Sequence, residues 1–152
     1  FGRGTGGDRR AKSQRLGRIM PLIYLDSSIV IYLVERHPVY APQIEHALSQ
    51  TDGAMLVPSP LVRLEVMVKP MQDGRDDLIG LYQQFLNISR SLTITDVTFS
   101  QALELRVRHR LKTPDALHLA VALQYECDLF WTNDNRLTAA AGGISMNVLV
   151  PS

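Results

Sequence analysis

The chain has very few of the features that would mark a special environment or a special architecture. It contains one cysteine among 152 residues, so an internal disulfide and a cysteine-based zinc site are both excluded. A reducing, cytoplasmic compartment is therefore expected. The longest apolar run, Ile29 to Val34, is far shorter than the ~20 residues that cross a bilayer. With 45% apolar and 20% charged residues, the composition is that of a folded domain rather than a disordered chain.

The net charge of +1 is small only because two unequal parts of the chain cancel. Residues 1–19 hold six Lys and Arg residues but one acidic residue, which gives +5, whereas residues 20–152 carry −4. The first segment also holds five of the ten glycines. We predict that it is a basic Gly/Arg-rich arm, either native or a leader or linker that is not native. Met20, followed by an apolar run, resembles a natural start of the domain.

The apolar patterns of residues 20–152 predict strands that alternate with helices. Short continuous apolar runs are typical of strands buried on both faces, and apolar residues at helical spacing indicate helices. The predicted strands are 21–25, 54–57, 92–94, 129–132 and 147–150, and the predicted helices are 29–34, 41–49, 73–89, 99–110, one from Pro60 and one from Thr113. This alternation predicts a single α/β domain with a mostly parallel sheet.

Four acidic residues stand at positions where solubility does not require them. Asp26 ends the first predicted strand, and Asp134 follows the 129–132 strand by two residues. Because ligands of open α/β sheets bind beyond the carboxyl ends of the strands, both acids are expected at one edge. Glu65 lies within an apolar helix whose predicted buried face includes Leu61, Leu64 and Val68, with Met67 as a further candidate. Asp115 opens the strongly apolar helix that begins at Thr113.

Each of these acids also has a purely structural explanation. Asp26 can cap the next helix, and Asp134 can be a turn residue. The helix dipole can stabilise Asp115, with Thr113 as the cap, and Glu65 can extend from the helix edge into solvent. Four carboxylates at one edge would nevertheless repel each other unless a cation compensates them. Hard oxygen ligands suit Mg²⁺ or Mn²⁺, which activates water for attack on a phosphodiester.

Four short motifs carry a resemblance to a known family. They are Tyr24-Leu25-Asp26-Ser27-Ser28, Leu64-Glu65-Val66, Leu111-Lys112-Thr113-Pro114-Asp115-Ala116-Leu117-His118-Leu119-Ala120 and Trp131-Thr132-Asn133-Asp134. In this order they resemble the PIN-domain ribonucleases, most closely the VapC-type toxins of bacterial type II toxin–antitoxin systems. The resemblance covers residues 21–152, and the third motif is the most distinctive.

The resemblance implies a PIN-like three-layer α/β/α fold and a Mg²⁺- or Mn²⁺-dependent endoribonuclease. The metal-binding and catalytic residues would be Asp26, Glu65, Asp115 and Asp134. Ser27 and Thr132 would hydrogen-bond a carboxylate or a metal-bound water. The implied partners are an RNA substrate (tRNA, rRNA or mRNA), a cognate antitoxin and a second copy of the chain, with no membrane. The arm would imitate, or be a piece of, an antitoxin tail that enters the acidic pocket.

Three further groups of residues have two explanations each. A basic run is either a solvated face or a contact for RNA phosphates; it consists of Arg106, Arg108, Arg110 and Lys112. His118, one turn after Asp115, is expected to be a packed or hydrogen-bonded histidine rather than a metal ligand. Four aromatic residues either pack in a core or interface, which we favour, or stack on bases; they are Tyr32, Tyr40, Tyr82 and Phe85.

Two other functions remain open at this stage. One is an RNA-processing PIN nuclease that is not a toxin, and the other is a catalytically inactive PIN-like binding module. The presence of all four acids disfavours the inactive module. A phosphate-accepting receiver domain is disfavoured because the order of its acids and its late lysine is missing.

Overall fold

A computed structural model describes residues 20–142 and 145–147 of the chain. Its elements are β1 (Leu22–Leu25), α1 (Ser27–Val34), α2 (Tyr40–Ser49), β2 (Met55–Val57), α3 (Pro60–Gln72), α4 (Asp76–Ile88), α5 (Asp96–His109), α6 (Thr113–Gln124), β3 (Leu129–Thr132), α7 (Asn135–Ala140) and β4 (Ser145–Asn147). The predicted basic arm, residues 1–19, lies outside the described residues. No helix of the described part of the chain is long and apolar enough to span a membrane.

The four strands form one parallel sheet in the order β2-β1-β3-β4. The predicted parallel α/β sheet is confirmed, and the fold has three layers, α/β/α. The chain passes from β1 outwards to β2 and then returns to the other side of β1 to form β3. The carboxyl ends of β1 and β3 are thus neighbours at the point where the strand order reverses, and this is where open α/β sheets bind ligands. Asp26 and Asp134 follow these two ends.

The core lies against β1, β3 and α6. Ile23, Tyr24 and Leu25 are fully buried in β1, as the continuous apolar run predicts for a strand covered on both faces. Helix α6 is buried over seven consecutive residues, from Ala116 to Ala122. A helix that is apolar all round is expected at the centre of a domain, and α6 is such a helix.

The predicted strand over 92–94 is wrong. The main chain there is irregular, and Leu92 N donates to Pro58 O at 2.8 Å just beyond the end of β2. A single bond of this kind does not make a strand ladder. The last strand, β4, begins at Ser145, earlier than the predicted start at residue 147. Residues 148–150 of that prediction lie outside the described part of the chain.

The predicted apolar face of α3 is wrong at two of its positions. Leu64 and Val68 are exposed, at 61% and 43%, whereas the helix buries Val62, Val66 and Met67. Apolar residues surround this helix on nearly every side, so the sequence allows more than one buried face, and only the position of the sheet selects one. Glu65 consequently stands at the boundary of the buried face and not within it.

The starts of two helices differ from the sequence prediction, which begins α5 at residue 99 and takes Thr113 as the cap of α6. Helix α5 begins at Asp96, and its cap is Thr95, whose backbone N–H donates to Thr98 Oγ1 at 3.0 Å. Helix α6 begins at Thr113 with Lys112 in the cap position. The Thr113 hydroxyl is not a cap because it accepts a hydrogen bond from Arg106 Nη1 at 2.8 Å.

Candidate active site

Asp26 is held at the end of β1 by hydrogen bonds to both carboxylate oxygens. Its backbone N–H extends the ladder to Trp131 O at 2.9 Å, and its side chain occupies the cap position of α1. Ser27 N donates to Asp26 Oδ1 at 2.8 Å, and Thr132 Oγ1 donates to Asp26 Oδ2 at 2.8 Å. The capping explanation and a functional role are therefore compatible, because the cap itself orients the carboxylate at the edge of the sheet.

Glu65 projects from α3 towards the same edge. Its Oε1 accepts hydrogen bonds from Ser27 Oγ at 2.8 Å and from His118 Nε2. Burial by itself raises the pKa of Glu65, but the His118 and Ser27 hydrogen bonds and the nearby His118 charge together lower it below its usual value. Glu65 is consequently a carboxylate anchored to the protein, not a side chain that extends freely into solvent.

A line of buried hydrogen bonds runs behind Glu65. Since a carboxylate only accepts hydrogen bonds, His118 Nε2 is the donor to Glu65. On the other side of the ring, His118 Nδ1 is 2.6 Å from the Tyr24 hydroxyl, which in turn is 2.8 Å from Ser59 Oγ. Burial raises the pKa of Tyr24, which therefore remains a phenol. His118 is thus the hydrogen-bonded histidine that the sequence favours.

Asp134 lies beyond β3 and is paired with Arg136. Thr132 Oγ1 accepts from Asp134 N at 3.0 Å, so one threonine hydroxyl contacts both Asp26 and the Asp134 main chain. The Asp134 carboxylate accepts from Arg136 N at 2.9 Å and from Arg136 Nη2 at 3.0 Å. The Arg136 hydrogen bonds lower the pKa of Asp134. The residue is also the cap of α7, which matches the structural explanation for an acid at this turn.

Asp115, in the first turn of α6, faces the negative charge of the other acids. Burial raises its pKa, and the charges of Asp26 and Asp134 raise it further. The charges of His118 and Arg136 partly offset this increase in the pKa of Asp115. Asp115 is therefore in a field that disfavours its ionised form, unlike Glu65 and Asp134.

The chemistry of these donors fits a divalent cation with hard oxygen ligands. Within the described residues, no three His, Cys, Asp or Glu side chains stand close enough together to hold a metal as they are. Mg²⁺, however, usually binds through one or two carboxylates and completes its shell with water and substrate phosphates. The charge of Asp26 raises the pKa of Asp115, so these two carboxylates are near enough to interact, and a bound cation would relieve their repulsion.

Two of the four basic residues predicted to bind RNA, Arg106 and Lys112, lie at the start of α6, whose first turn carries Asp115. Arg106 is engaged in the turn between α5 and α6, where its Nε donates to Leu111 O at 3.0 Å. Arg110 ends α5 in a left-handed conformation with φ of 54°. Arg108 lines a shallow groove with Glu104 and Leu123, and Lys112 precedes α6 as its cap residue.

Several site residues are absent from the sequence prediction. Tyr24 and Ser59 belong to the hydrogen-bond line behind Glu65, and Asn133 belongs to the loop after β3. Tyr24 lies inside the Tyr24–Ser28 motif, so its position two residues before Asp26 was a usable signal. Two residues apart in a strand, both side chains are on the same face. Ser59 offered no comparable pattern.

Comparisons with known proteins agree with this architecture. The PIN-domain family model matches residues 23–143. A toxin–antitoxin complex from Klebsiella pneumoniae superposes with a TM-score of 0.68 at 20% identity, covering 83% of this chain and 97% of that chain. VapBC2 from Rickettsia felis, bound to a DNA fragment from its promoter, gives 0.67 at 16% identity, with coverages of 83% and 98%.

A third similar structure is Mycobacterium tuberculosis VapC20, a toxin that cleaves the sarcin–ricin loop. It gives a TM-score of 0.63 at 20% identity, covering 78% of this chain and 94% of that chain. A search of the sequences of curated proteins finds no match. At these identities the superpositions establish the fold, and the family model establishes the family. The chain belongs to the PIN-domain family of nucleases.

Proposed function

We propose that the chain is a divalent-metal-dependent endoribonuclease and the toxin of a toxin–antitoxin pair. The observation that carries this proposal is the negative charge around Asp115, which His118 and Arg136 offset only in part. Its pKa is raised by burial and by Asp26 and Asp134, next to an Asp26 carboxylate that Ser27 and Thr132 hold in place. Structural carboxylates are normally paired, whereas carboxylates that are left to repel each other are typical of a site for a cation.

The chain's own residues would each have a definite task in this reaction. Asp26 and Asp115 would hold Mg²⁺ or Mn²⁺, with Glu65 and Asp134 as further ligands directly or through water. When bound, the cation supplies an activated water and stabilises the charge that develops on the scissile phosphate. Thr132 and Ser27 keep the Asp26 carboxylate oriented, and His118 and Ser27 do the same for Glu65.

The direct test is cleavage of RNA by the purified chain with and without Mg²⁺. We expect wild-type protein to cut single-stranded RNA only when the metal is present. Asp26→Asn keeps the shape of the side chain but removes its charge, so cleavage should fall by at least about 100-fold, the scale on which loss of one electrostatic contact lowers catalysis. Absence of metal-dependent cleavage in the wild type would instead favour the inactive binding module.

Asp52→Asn is the matched control for this experiment. It makes the same change of charge at an exposed residue just before β2, at the opposite edge of the parallel sheet. Its cleavage rate should equal that of the wild type. If both variants lose activity equally, the loss reflects net charge and not a site at Asp26.

The toxin assignment rests on the similar structures, which are toxin–antitoxin complexes or toxins. Expression of the chain in the cytoplasm should arrest growth, Asp26→Asn should abolish the arrest, and co-expression of the neighbouring antitoxin gene should suppress it. Cleavage in vitro without growth arrest would identify a non-toxin RNA-processing nuclease. The choice among tRNA, rRNA and mRNA follows from sequencing the RNA ends that accumulate after induction.

We also propose that the chain forms a homodimer. Helix α5 exposes apolar residues four positions apart, which here are called the α5 stripe; they are Phe99, Leu103 and Val107, at 56%, 64% and 76% exposure. A contiguous exposed apolar surface is typical of an interaction site.

A further inference from the structure

Three aromatic rings form a cluster at the corner between α1 and α2, at the border of the hydrophobic core, against which Tyr32 packs. Tyr32 lies in the last turns of α1, His37 in the connection and Tyr40 at the start of α2. The His37 and Tyr40 rings stack with centroids 4.5 Å apart, and the Tyr32 ring lies 5.1 Å and 5.0 Å from them. All three residues are half-buried, whereas Tyr82, another aromatic residue of the sequence prediction, is fully buried. This Tyr32–His37–Tyr40 cluster therefore has ring surface left for a further contact.

Hydrogen bonds of the His37 side chain and main chain hold the backbone around the cluster. His37 Nδ1 accepts hydrogen bonds from Val39 N at 3.2 Å and Tyr40 N at 3.1 Å, so the imidazole fixes the entry into α2. His37 N donates to Tyr32 O at 2.9 Å across the end of α1. Between them, Arg36 adopts a left-handed conformation with φ of 54°, where glycine is usual. Rings that are already fixed lose little conformational entropy when a ligand binds.

The cluster is connected to the candidate active site through one side chain. Asn133 Nδ2 donates to the Tyr32 hydroxyl at 3.2 Å, and Asn133 Oδ1 accepts from Ser28 Oγ at 3.0 Å. Asn133 stands between Thr132, which donates to Asp26, and Asp134. The aromatic rings and the acidic edge therefore flank the same two-residue loop after β3, Asn133 and Asp134.

An acidic edge by itself repels the phosphates of RNA, and two arginines close to it are already hydrogen-bonded within the protein. Arg106 is engaged with Leu111 O and the Thr113 hydroxyl, and Arg136 is paired with Asp134. A substrate bound at this edge consequently needs attraction of another kind. Stacking of an unpaired base on aromatic rings contributes about 1–3 kcal/mol per base and accepts every base.

We propose that the Tyr32–His37–Tyr40 cluster is a base-binding platform that stacks one unpaired nucleobase of RNA beside the phosphate held at the acidic edge. This inference rests on the proposed ribonuclease function. Stacking on the platform would add affinity for RNA that depends on the ring surface and little on the salt concentration. It would discriminate only weakly among the four bases. The cluster would position the strand, and no bond is formed or broken there.

The alternative role is purely structural. A contact between the residue after a helix and the helix's last turn commonly accompanies the end of a helix, and the Tyr32–His37 contact is of this kind. That role does not account for the stacking of Tyr40 on His37 or for the bond from Asn133 to Tyr32. The two roles differ in what RNA binding should do when the Tyr40 ring is removed.

The test uses the full chain in EDTA and single-stranded octaribonucleotides that carry 2-aminopurine at one position, one oligonucleotide for each position. We expect wild-type protein to quench the fluorescence at one position, because stacking quenches 2-aminopurine. Tyr40→Leu should abolish the quenching and raise the Kd by about 5- to 140-fold, which corresponds to one base stack. Tyr40→Phe and Tyr32→Phe keep the rings and should retain the quenching.

Tyr125→Leu is the matched control, because it removes a half-buried tyrosine near the amino end of β3, at the opposite edge of the sheet. It should leave both quenching and Kd unchanged. The platform is refuted if the wild type binds RNA without quenching at any position, or if Tyr40→Leu keeps the wild-type Kd and quenching. In either case metal-dependent cleavage by the wild type would leave the ribonuclease function intact. If the wild type neither binds nor cleaves RNA, both the platform and the ribonuclease function are refuted.

Discussion

Among single side chains, Asp115 shows most directly that this protein gives up stability at its candidate site. Its raised pKa means that the folded protein holds the proton of Asp115 more tightly than the unfolded chain does. The free energy of unfolding therefore decreases as pH rises from the pKa of Asp115 in the unfolded chain, about 3.9, to its higher pKa in the folded protein. Above the folded pKa the loss of stability is complete. At neutral pH without metal, the ionised carboxylate destabilises the fold.

Asp115→Asn should accordingly stabilise the metal-free protein at pH 7. The gain should shrink as pH falls towards the unfolded pKa, because the wild-type carboxyl group is then protonated as well. In Mg²⁺ the order should reverse, since only the wild type gains the binding energy of the cation. Thermal unfolding at several pH values, with EDTA or Mg²⁺, measures both effects. If the Asp115→Asn variant is less stable than the wild type in EDTA at pH 7, the surroundings of Asp115 do not disfavour its ionised form, and the prediction is contradicted.

Tyr24 carries the hydrogen-bond line that holds Glu65 from behind. Tyr24→Phe removes only the hydroxyl, but it leaves His118 Nδ1 and Ser59 Oγ without that buried partner. We expect a loss of about 1–3 kcal/mol in the free energy of unfolding, the usual cost of a buried polar group that loses its partner. Urea denaturation measures it. Tyr125→Phe, whose hydroxyl donates to Thr93 O at the protein surface, should cost clearly less.

Among the helices, α6 shows how far a sequence pattern alone predicts structure. Its run of Ala, Leu and Val is apolar on every face, and the helix is indeed buried over Ala116–Ala122. Helix α3 has a similar apolar composition, yet its Leu64 and Val68 face solvent. The two helices differ in where they pack against the sheet, and amino-acid composition does not encode that position.

A pair of identical substitutions in α6 tests this difference in burial. Leu119 is fully buried and Leu123 is 39% exposed. Leu119→Ala should lower the free energy of unfolding by about 2–5 kcal/mol, because it removes packed methyl groups and leaves a cavity. Leu123→Ala should cost clearly less. Equal losses in chemical denaturation would show that the outer end of α6 is covered, for instance by a second chain.

For the molecule as a whole, the exposed apolar residues predict self-association. Two helices carry three such residues each at helical spacing: the α5 stripe, and Leu64, Val68 and Met71 on α3. We expect a sedimentation mass of twice the 17.0 kDa of one chain. The α5 stripe is the preferred interface because it is the more exposed of the two.

Leu103→Lys should convert this dimer into a monomer in sedimentation equilibrium, because a charge buried at an apolar interface is unfavourable. Leu64→Lys, the same change on α3, should leave the dimer intact. The reverse result would assign the interface to α3. A wild-type chain that sediments at the mass of one copy up to high concentration would refute the dimer.

Local patterns in the amino-acid sequence were sufficient for the parallel α/β fold and for β1, β3 and α6, and they nominate Asp26, Glu65, Asp115 and Asp134 as site residues. Periodicity and strand ends are local properties, so they survive in a single sequence. The pairing of those acids is not local. His118 contacts Glu65 across 53 positions, and Thr132 contacts Asp26 across 106. Only the packed sheet brings these partners together, and it alone determines which carboxylates are anchored and which still repel each other.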